Sequence, residues 1–517
     1  MRLPTTLSSR IEATLVFLAA TVLSLAAGYI SSTSDVRLIV VALGLLGVVI
    51  VLVNPSFAIT ALMVAALTVV GTLQLYLPGF QMVGWAVAGT TFVMGLYVFV
   101  ERSLSLDKTP GPVSPILFCA LLFIAISLLS SILNNNSLDI VAFGLKGYFQ
   151  VLGLFFAICL MRWDDIKIKR LPAALIAVGL IQLPFVLHQY FVLVPARANL
   201  GGGIVAEDIV SGTMGATMLG GGSNAVLSLL LISAIALIAG IYKNHKLKLT
   251  PALVMISLCA VPLLLNSNRA ALLYLPLAYL IIFKDDVIKR PLRVIGTGLA
   301  MALLVVALVW ANATLSSRSD EFDGWQELLS LTIERNSEEQ FGWGDYDVNR
   351  ITVMSHWASE HSRGSDIPQI LYGHGPGQSR EAQGRNAALG ARAQVKTLAR
   401  TKYPSVGIGL TGVSSLLWEV GILGLAVIAG LFWSAYRAAT YLIHRYEDFS
   451  YRKGVVEGMR AAVIILGISL FFKNAIVFHL PFQALLFTIL GILAFWQRQE
   501  RAREETEGEH AGNAAKA

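Results

Sequence analysis

The chain has 517 residues, of which 56% are hydrophobic and 14% are charged. Because charged residues make up about a quarter of an ordinary soluble domain, this composition excludes a soluble globular protein and indicates one whose solvent is the lipid bilayer. The formal net charge is +7, but the basic residues stand in short segments between apolar stretches, where they set membrane topology rather than bind nucleic acid. All three cysteines fall inside apolar stretches, so we expect neither a disulfide nor a thiolate metal site.

Apolar stretches of roughly 16 to 24 residues recur along the whole chain, and each is long enough to cross a hydrocarbon core. We therefore predict an all-α integral membrane protein with about fourteen, and at least about twelve, transmembrane helices. The turn Asn54-Pro55-Ser56 is so short that residues 38–76 form either two full spans or a re-entrant pair. The predicted spans are 13–30, 38–53, 57–76, 83–100, 114–133, 141–161, 172–193, 224–242, 250–265, 270–283, 294–312, 413–436, 459–477 and 481–497.

Lysine and arginine are concentrated in alternate connections between the predicted spans. If the amino terminus is cytoplasmic, these basic connections are cytoplasmic too, whereas the short connections 76–81 and 134–139 lie outside and contain no lysine or arginine. Membrane proteins follow this positive-inside pattern, so we expect both termini in the cytoplasm. The basic residues concerned are Arg162, Lys167, Lys169, Arg170, Lys243, Lys246, Lys248, Lys284, Lys289, Arg290, Arg293, Arg437, Arg445, Arg452 and Lys453.

Two long segments interrupt the short outer connections. The first, 195–223, is rich in glycine, and the second, 313–410, is long enough for a mostly helical extracytoplasmic loop before the last three spans. Within the second, residues 320–347 contain nine acids and one arginine, whereas residues 348–403 contain eight basic residues and three acids. The partner of the basic part is either an anionic ligand or the acidic part. The predicted regions are 1–140, 141–312, 313–410, 411–497 and a disordered cytoplasmic tail at 498–517.

Arginines stand where the predicted spans meet the outer surface. Arg197, Arg269 and Arg350 lie at these boundaries, and guanidinium groups bind diphosphate oxygens in pairs and stay charged at accessible pH. Arg269 ends a polar turn between two spans, so it either binds a diphosphate or extends toward lipid head groups. Soluble-enzyme signatures such as a Walker loop or HExxH are absent from the sequence. Further arginines of the second long segment are Arg363, Arg380, Arg385, Arg392 and Arg400.

Two other ionisable residues stand inside or beside predicted spans. Lys146, between Gly144 and Gly147, either contacts a ligand, extends to the interface or forms an internal ion pair. Glu419, in the segment that re-enters the membrane, either contributes to a binding site or pairs with a neighbouring arginine.

A glycine-rich segment follows the predicted helix that begins near Arg350. It contains Gly373, His374, Gly375 and Gly377, and glycines at alternate positions allow the backbone to approach a ligand closely, although such a pattern is also typical of a turn-rich loop. Its position next to Arg350 favours a functional segment.

These features, taken in order, resemble the O-antigen ligase and Wzy polysaccharide polymerase family of polytopic glycosyltransferases. The resemblance covers roughly residues 140–495 and implies a glycan donor linked through a diphosphate to undecaprenol in the outer leaflet of a bacterial inner membrane, with no metal or other cofactor. It implies catalytic roles for Arg269 and Arg350, a lipid-facing groove for the polyprenyl chain, and flippase and chain-length regulator partners. The motifs are Gly212-Thr213 to Asn224, Asn268-Arg269, Arg350, Gly373-His374-Gly375-Pro376-Gly377 and Glu419-Val420-Gly421-Ile422-Leu423-Gly424-Leu425. Lys146, Arg197, the three glycines and Glu419 are the expected substrate-binding residues.

One departure from the family bears on the reaction. Many members, notably the ligases, carry a His-Asn pair shortly before the glutamate that re-enters the membrane, and this chain has Leu410-Thr411-Gly412 there. The absence favours a polymerase over a ligase, and it makes His374 the preferred base, with His356, His361 and Glu419 as rivals. A flippase or transporter and a non-enzymatic scaffold of envelope assembly remain the alternatives from other classes.

Overall fold

The computed structural model of the chain describes residues 21, 35–77, 79–104, 113–200, 205–218, 222–266, 268–286, 291–314, 349–362, 367–379 and 408–514. Within these ranges the chain is all-helical, without a β-strand. Among the described residues, eight helices are long and apolar enough to cross a membrane, and a bent pair adds a ninth. The protein is therefore an all-α, multi-pass membrane protein, which confirms the predicted class. The predicted span 13–30, apart from residue 21, lies outside the described residues, as do the acidic stretch 320–347, Arg363, Arg380, Arg385, Arg392 and Arg400.

The predicted spans from residue 38 onward fall on helices, because a segment without water must satisfy its backbone groups internally. The helices in chain order are α1 (Val36–Val53), α2 (Pro55–Tyr76), α3 (Val83–Leu104), α4 (Pro115–Leu133), α5 (Leu138–Phe149), α6 (Leu152–Leu160), α7 (Asp165–Ala198), α8 (Ser223–Lys243), α9 (Leu249–Leu265), α10 (Ala271–Phe283), α11 (Pro291–Thr314), α12 (Thr352–Ser362), α13 (Ile367–Tyr372), α14 (Gly412–Arg445), α15 (Tyr451–Ser469) and α16 (Leu480–Ala514).

Two boundaries near the carboxyl end differ from the prediction. The span predicted at 459–477 ends as a helix at Ser469, and residues 470–479 form an irregular connection. The tail predicted to be disordered from 498 is helical as far as Ala514. Ion pairs explain this helix, since Arg503 pairs with Glu500 one turn away at 3.0 Å, and Arg445 of α14 pairs with Glu507 at 3.2 Å.

Two helices form the centre of the bundle. α8 and α16 are buried over most of their length, whereas α1 lies at the periphery. α8 packs closely on α15 because small residues face each other: a Cβ on Gly454 would lie 2.7 Å from Gly240 O, and one on Gly458 would lie 2.6 Å from Ala236 O. Small residues at such positions let two membrane helices approach at backbone distance.

Several helices are broken near one side of the bundle. α5 and α6 meet at a bend of 48°, and α14 leaves helical geometry at Gly421, where φ is +66°. α2 and α7 each contain a π turn, at Ala65–Val69 and Gln189–Leu193. Such breaks free backbone groups for other partners and are frequent at functional sites. We call this side, which carries the described residues 134–137, 205–218, 268–270 and 470–479 between helices, the loop face.

Candidate functional site

The glycine-rich segment 373–377 is docked on the break in α14. With α14 interrupted at Gly421, the carbonyl groups of Trp418 and Glu419 accept hydrogen bonds from His374 N and Gly375 N, both at 2.8 Å. Gly373 has φ of +71°, and a Cβ there would lie 2.5 Å from Val420 N. The close approach that these glycines permit is therefore to the protein's own backbone.

The connection between α4 and α5 holds the other edge of this segment. Asn134 Nδ2 donates to Gly373 O at 2.8 Å, and Asn136 Nδ2 donates to His374 O at 2.9 Å. A Cβ on Gly377 would lie 3.1 Å from the Cα of Gly144 on α5. Segment 373–377 is thus bound from two sides, and its carbonyls as well as its amides have protein partners.

Glu419 lies beneath the segment and is fully buried. Its Oε1 accepts from Ser379 N at 2.9 Å and from Ser379 Oγ at 2.6 Å, while its Oε2 has no hydrogen-bond partner among the described residues. Ser379 Oγ accepts from the hydroxyl of Ser415, 3.3 Å away, because its own hydrogen is used by Glu419, and Asn474 Nδ2 donates to Ser415 Oγ at 2.6 Å. Within the described part of the chain, the Glu419 carboxylate does not bind the arginine that one alternative predicted. The carboxylate instead fixes the end of the glycine-rich segment to α14.

His374 is packed in an aromatic cluster rather than pointing alone into a cavity. Its ring stacks on Trp418 with centroids 5.7 Å apart, and its Nε2 lies 3.2 Å from His361 Nε2. His361 Nδ1 is 2.8 Å from Trp357 O; since a carbonyl only accepts, that nitrogen carries a hydrogen. The two Nε2 atoms therefore share one hydrogen, which ties α12 to the segment.

Four ionisable residues from separate parts of the chain meet elsewhere on the loop face, and we call Arg197, Asp208, Arg350 and Lys473 the charged cluster. Burial raises the pKa of Asp208, and the neighbouring Arg197 and Lys473 oppose that shift. Burial lowers the pKa of Arg350, and Tyr274 and Asp208 oppose it; arginine nevertheless remains charged at any accessible pH. Arg197 is buried. Three cations thus lie near the half-buried Asp208, and the buried acid Glu207 adjoins the same cluster.

The predicted Arg269 turn adjoins this cluster. Asn266, three residues before Arg269, donates from Nδ2 to Asn224 O at 2.7 Å, and Asn224 Nδ2 in turn donates to Asp208 Oδ1 at 3.0 Å. On the other side of the turn, α10 carries Tyr274, the neighbour of Arg350. The structure therefore brings three residues predicted from sequence, Arg197, Arg269 and Arg350, to one part of the loop face.

Lys146 has a different environment. Its Nζ lies 4.1 Å from the centre of the Trp85 ring of α3, a cation–π contact that stabilises a lysine inside a bundle. None of its described contacts joins it to the charged cluster. The alternatives predicted for Lys146 were contact with a ligand, extension to the interface and an internal ion pair. The contact with Trp85 is internal, but the partner is an aromatic ring rather than an acid.

Two residues of the charged cluster were not predicted. Asp208 stands in the glycine-rich connection, and Lys473 was assigned to the interior of a span. The available signal for Lys473 was its charge within an apolar stretch, because an ionisable residue at membrane depth is by default a functional candidate. Asp208 meets the other residues of the cluster only in the folded chain, so the sequence around Asp208 contains no pattern that identifies it.

Comparisons with known proteins add no identification: no protein-family model matches the chain, and a search of curated proteins finds no match either. Among the described residues, no group of three histidines, cysteines or carboxylates is arranged to hold a metal ion.

Proposed function

We propose that this protein is a glycosyltransferase that polymerises undecaprenyl-diphosphate-linked oligosaccharide repeat units into a surface or exopolysaccharide. The observation that carries the proposal is the charged cluster: Arg197, Arg350 and Lys473 come from three separate parts of the chain and meet beside the Arg269 turn. A diphosphate carries charge on oxygens that guanidinium groups match in geometry. Such a set of fixed cations suits a diphosphate leaving group.

The chemistry needs little beyond these cations. In glycosyl transfer from a polyprenyl diphosphate, the acceptor oxygen attacks the anomeric carbon, its proton passes to a base, and the bond to the diphosphate oxygen breaks, so that negative charge grows on the leaving group. His374 is the base predicted from the sequence. Donors fixed where charge develops lower the barrier, each by about 3 to 4 kcal/mol by analogy with oxyanion holes. A single nucleophilic displacement inverts the configuration of the anomeric carbon.

A groove in the membrane part of the bundle supports a lipid-linked donor. It lies between α2 and α7 and has a volume of about 410 Å³. Thr68 and Thr72 line it, but their hydroxyls donate to carbonyls of their own helix at 2.7 Å, so they present methyl groups. Such a lining suits a hydrocarbon chain. The groove is lined by Val64, Thr68, Val69, Thr72, Leu73, Ala174, Ala177, Val178, Ile181 and Phe185.

The orientation that goes with this function places the loop face outside the inner membrane. The opposite face carries the basic connections, among them Arg162 and Lys167 after α6 and Lys246 and Lys248 after α8. By the positive-inside rule that face is cytoplasmic. We therefore propose about fourteen spans, cytoplasmic termini, and a site that meets its donor in the outer leaflet.

The decisive experiment supplies the purified protein, in lipid vesicles, with undecaprenyl-diphosphate-linked repeat units and separates the products by size. A ladder supports polymerisation. Transfer only to an added lipid A core supports a ligase instead, and no transfer with either acceptor refutes glycosyl transfer and returns the transport alternative.

Arg350→Ala tests the role of the cluster in the same assay. We expect the ladder to be lost and single lipid-linked repeat units to remain, with a loss of at least about 100-fold in rate. Arg437→Ala is the matched control, because Arg437 is an exposed arginine toward the opposite end of α14. Wild-type polymer from Arg350→Ala would show that this cation does not act on the leaving group.

A further inference from the structure

His374 is held by three elements of the fold at once. Its main-chain N–H donates to the carbonyl of Trp418 on α14 at 2.8 Å, and its carbonyl accepts from Asn136 Nδ2, between α4 and α5, at 2.9 Å. Its ring stacks on the Trp418 ring, and its Nε2 lies 3.2 Å from Nε2 of His361 on α12. The protein therefore fixes both the main chain and the ring of His374.

The hydrogen positions in the two rings follow from one carbonyl group. His361 Nδ1 lies 2.8 Å from the carbonyl oxygen of Trp357, and a carbonyl only accepts, so His361 Nδ1 carries a hydrogen. A neutral imidazole carries one hydrogen, so His361 Nε2 is an acceptor. The atom that faces it, His374 Nε2, is therefore the donor. In neutral His374 the other ring nitrogen, Nδ1, then carries no hydrogen and is the basic atom.

Exposure gives the two histidines different roles. His361 is buried, with 5% of its surface exposed, whereas His374 is half-buried. His361 can therefore act on another molecule only through His374. Glu419, a rival base in the sequence, is fully buried, and Ser379 donates two hydrogen bonds to its Oε1. His374 is thus more accessible to a substrate than either of these two rivals.

The contacts of His374 favour its charged form. When Nδ1 takes a proton, Nε2–H keeps its bond to His361, and a hydrogen bond from a charged donor is roughly twice as strong as one between neutral groups. The face of the Trp418 ring, which is parallel to the His374 ring to within 25°, also attracts a cation. Both contacts are stronger after protonation, so both increase the basicity of Nδ1.

We propose that His361 is the positioning residue of His374: it accepts the Nε2–H of His374, so that His374 Nδ1 takes the proton of the acceptor hydroxyl. In this step the acceptor oxygen bonds to the anomeric carbon, the electron pair of the old bond leaves on the diphosphate oxygen, and the hydroxyl proton moves to Nδ1. The proton then passes to solvent. The reaction step rests on the proposed function, whereas the direction of the hydrogen bond does not.

Nuclear magnetic resonance of the full-length protein in lipid vesicles measures that direction. The protein is labelled with 15N-histidine and kept at about pH 8.5, where histidine rings are neutral. A scalar coupling between ring nitrogens of two residues arises only across an N–H···N hydrogen bond. We expect one between His361 and His374, with the hydrogen on His374 Nε2. The wild type alone gives this result, so it does not depend on whether a variant folds.

Two substitutions of His361 separate an acceptor from a mere space-filler. His361→Gln places an amide oxygen where the accepting nitrogen was, so the His374 ring should keep a hydrogen-bonded Nε2–H and an Nδ1 without hydrogen. His361→Leu removes the acceptor and should slow transfer in the ladder assay by about tenfold. His361→Gln should recover most of that loss, whereas a purely structural role predicts equal losses in both variants.

The base itself is tested in the same assay. His374→Gln removes the basic nitrogen and should slow transfer by about 100-fold. His356→Gln is the matched control, because it removes another half-buried histidine, on α12, that is not a member of this pair. It should retain the wild-type rate, and a loss as large as that of His374→Gln would assign the base to His356 instead.

Absence of the coupling in the wild type overturns the inference, and so does a coupling with the hydrogen on His361. A wild-type rate in His374→Gln, or equal losses in His361→Leu and His361→Gln, overturns it as well. If the wild type makes no ladder, the proposed function fails and the reaction step fails with it. The coupling still decides the direction of the hydrogen bond in that case, so the two failures are distinguishable.

Discussion

Replacement of Gly373 by alanine should undock the glycine-rich segment from α14. The alanine Cβ would lie 2.5 Å from Val420 N, and Gly373 has φ of +71°. The left-handed conformation costs a residue with a Cβ about 1 to 2 kcal/mol. Displacing the segment also removes the bonds from His374 N to Trp418 O and from Gly375 N to Glu419 O, each worth about 1 kcal/mol. The docking free energy should therefore fall by about 3 to 4 kcal/mol.

Hydrogen exchange measures this loss directly, because the amides of His374 and Gly375 are protected only while the segment is docked. A loss of about 3 kcal/mol accelerates their exchange by about 100-fold. Gly89→Ala is the matched control: Gly89 lies in α3 with nothing within 4 Å of its would-be Cβ, so alanine should stabilise that helix by up to about 1 kcal/mol. Unchanged protection of His374 and Gly375 in Gly373→Ala would refute the backbone packing argument.

Two further predictions concern titration and the opposite face. Burial lowers the pKa of His356 below its ordinary value of 6.5, so the folded state binds fewer protons than the unfolded state. The docking of α12 should therefore weaken as the pH falls below about 6.5 and stay constant above it. Hydrogen exchange of the α12 amides measured against pH checks this, and an equal pH dependence in His356→Gln would contradict it. Glu457→Gln removes the carboxylate that pairs with the buried Lys243 at 3.1 Å, and should destabilise the protein by about 3 to 5 kcal/mol. Lys167→Ala, which breaks the exposed pair with Asp164, should change stability by less than about 1 kcal/mol; similar thermal shifts in both would refute the distinction.

The helices were predictable because the bilayer imposes one solution on each long apolar stretch. The breaks were not. After its first residue, Gly412, α14 contains three glycines: Gly421, Gly424 and Gly430. Only Gly421 departs from helical geometry, since it faces the segment at Gly373, where a Cβ on Gly421 would lie 2.6 Å from Gly373 N. That partner comes from a distant part of the chain, so local propensity gives no means of choosing among the three glycines.

The site divides in the same way. Three site residues could be selected from the sequence: Arg197, Arg269 and Arg350. A charged residue at a membrane boundary is costly to bury, so its presence there indicates a partner or a function. Lys146, a charged residue within a span, was selected for the same reason. It lies against Trp85, because an aromatic ring can also stabilise a cation inside a bundle. The functional roles of the arginines, the glycines, His374 and Glu419 stay predictions, although the contacts of His374 and Glu419 already explain much of their placement.

The two arrangements on the loop face are joined through adjacent residues of one connection. Asn474 donates to Ser415 Oγ and to Gly409 O at 2.6 and 2.8 Å, on the side where Glu419 and Ser379 hold the glycine-rich segment. Lys473, the preceding residue, faces Asp208 in the charged cluster. Undocking the segment loosens Ser379 and, through Ser415, the position of Asn474. Gly373→Ala should therefore weaken the binding of P1,P2-dimethyl diphosphate, a probe for a diphosphate group, as well as segment docking. A segment that acts independently would leave that affinity unchanged.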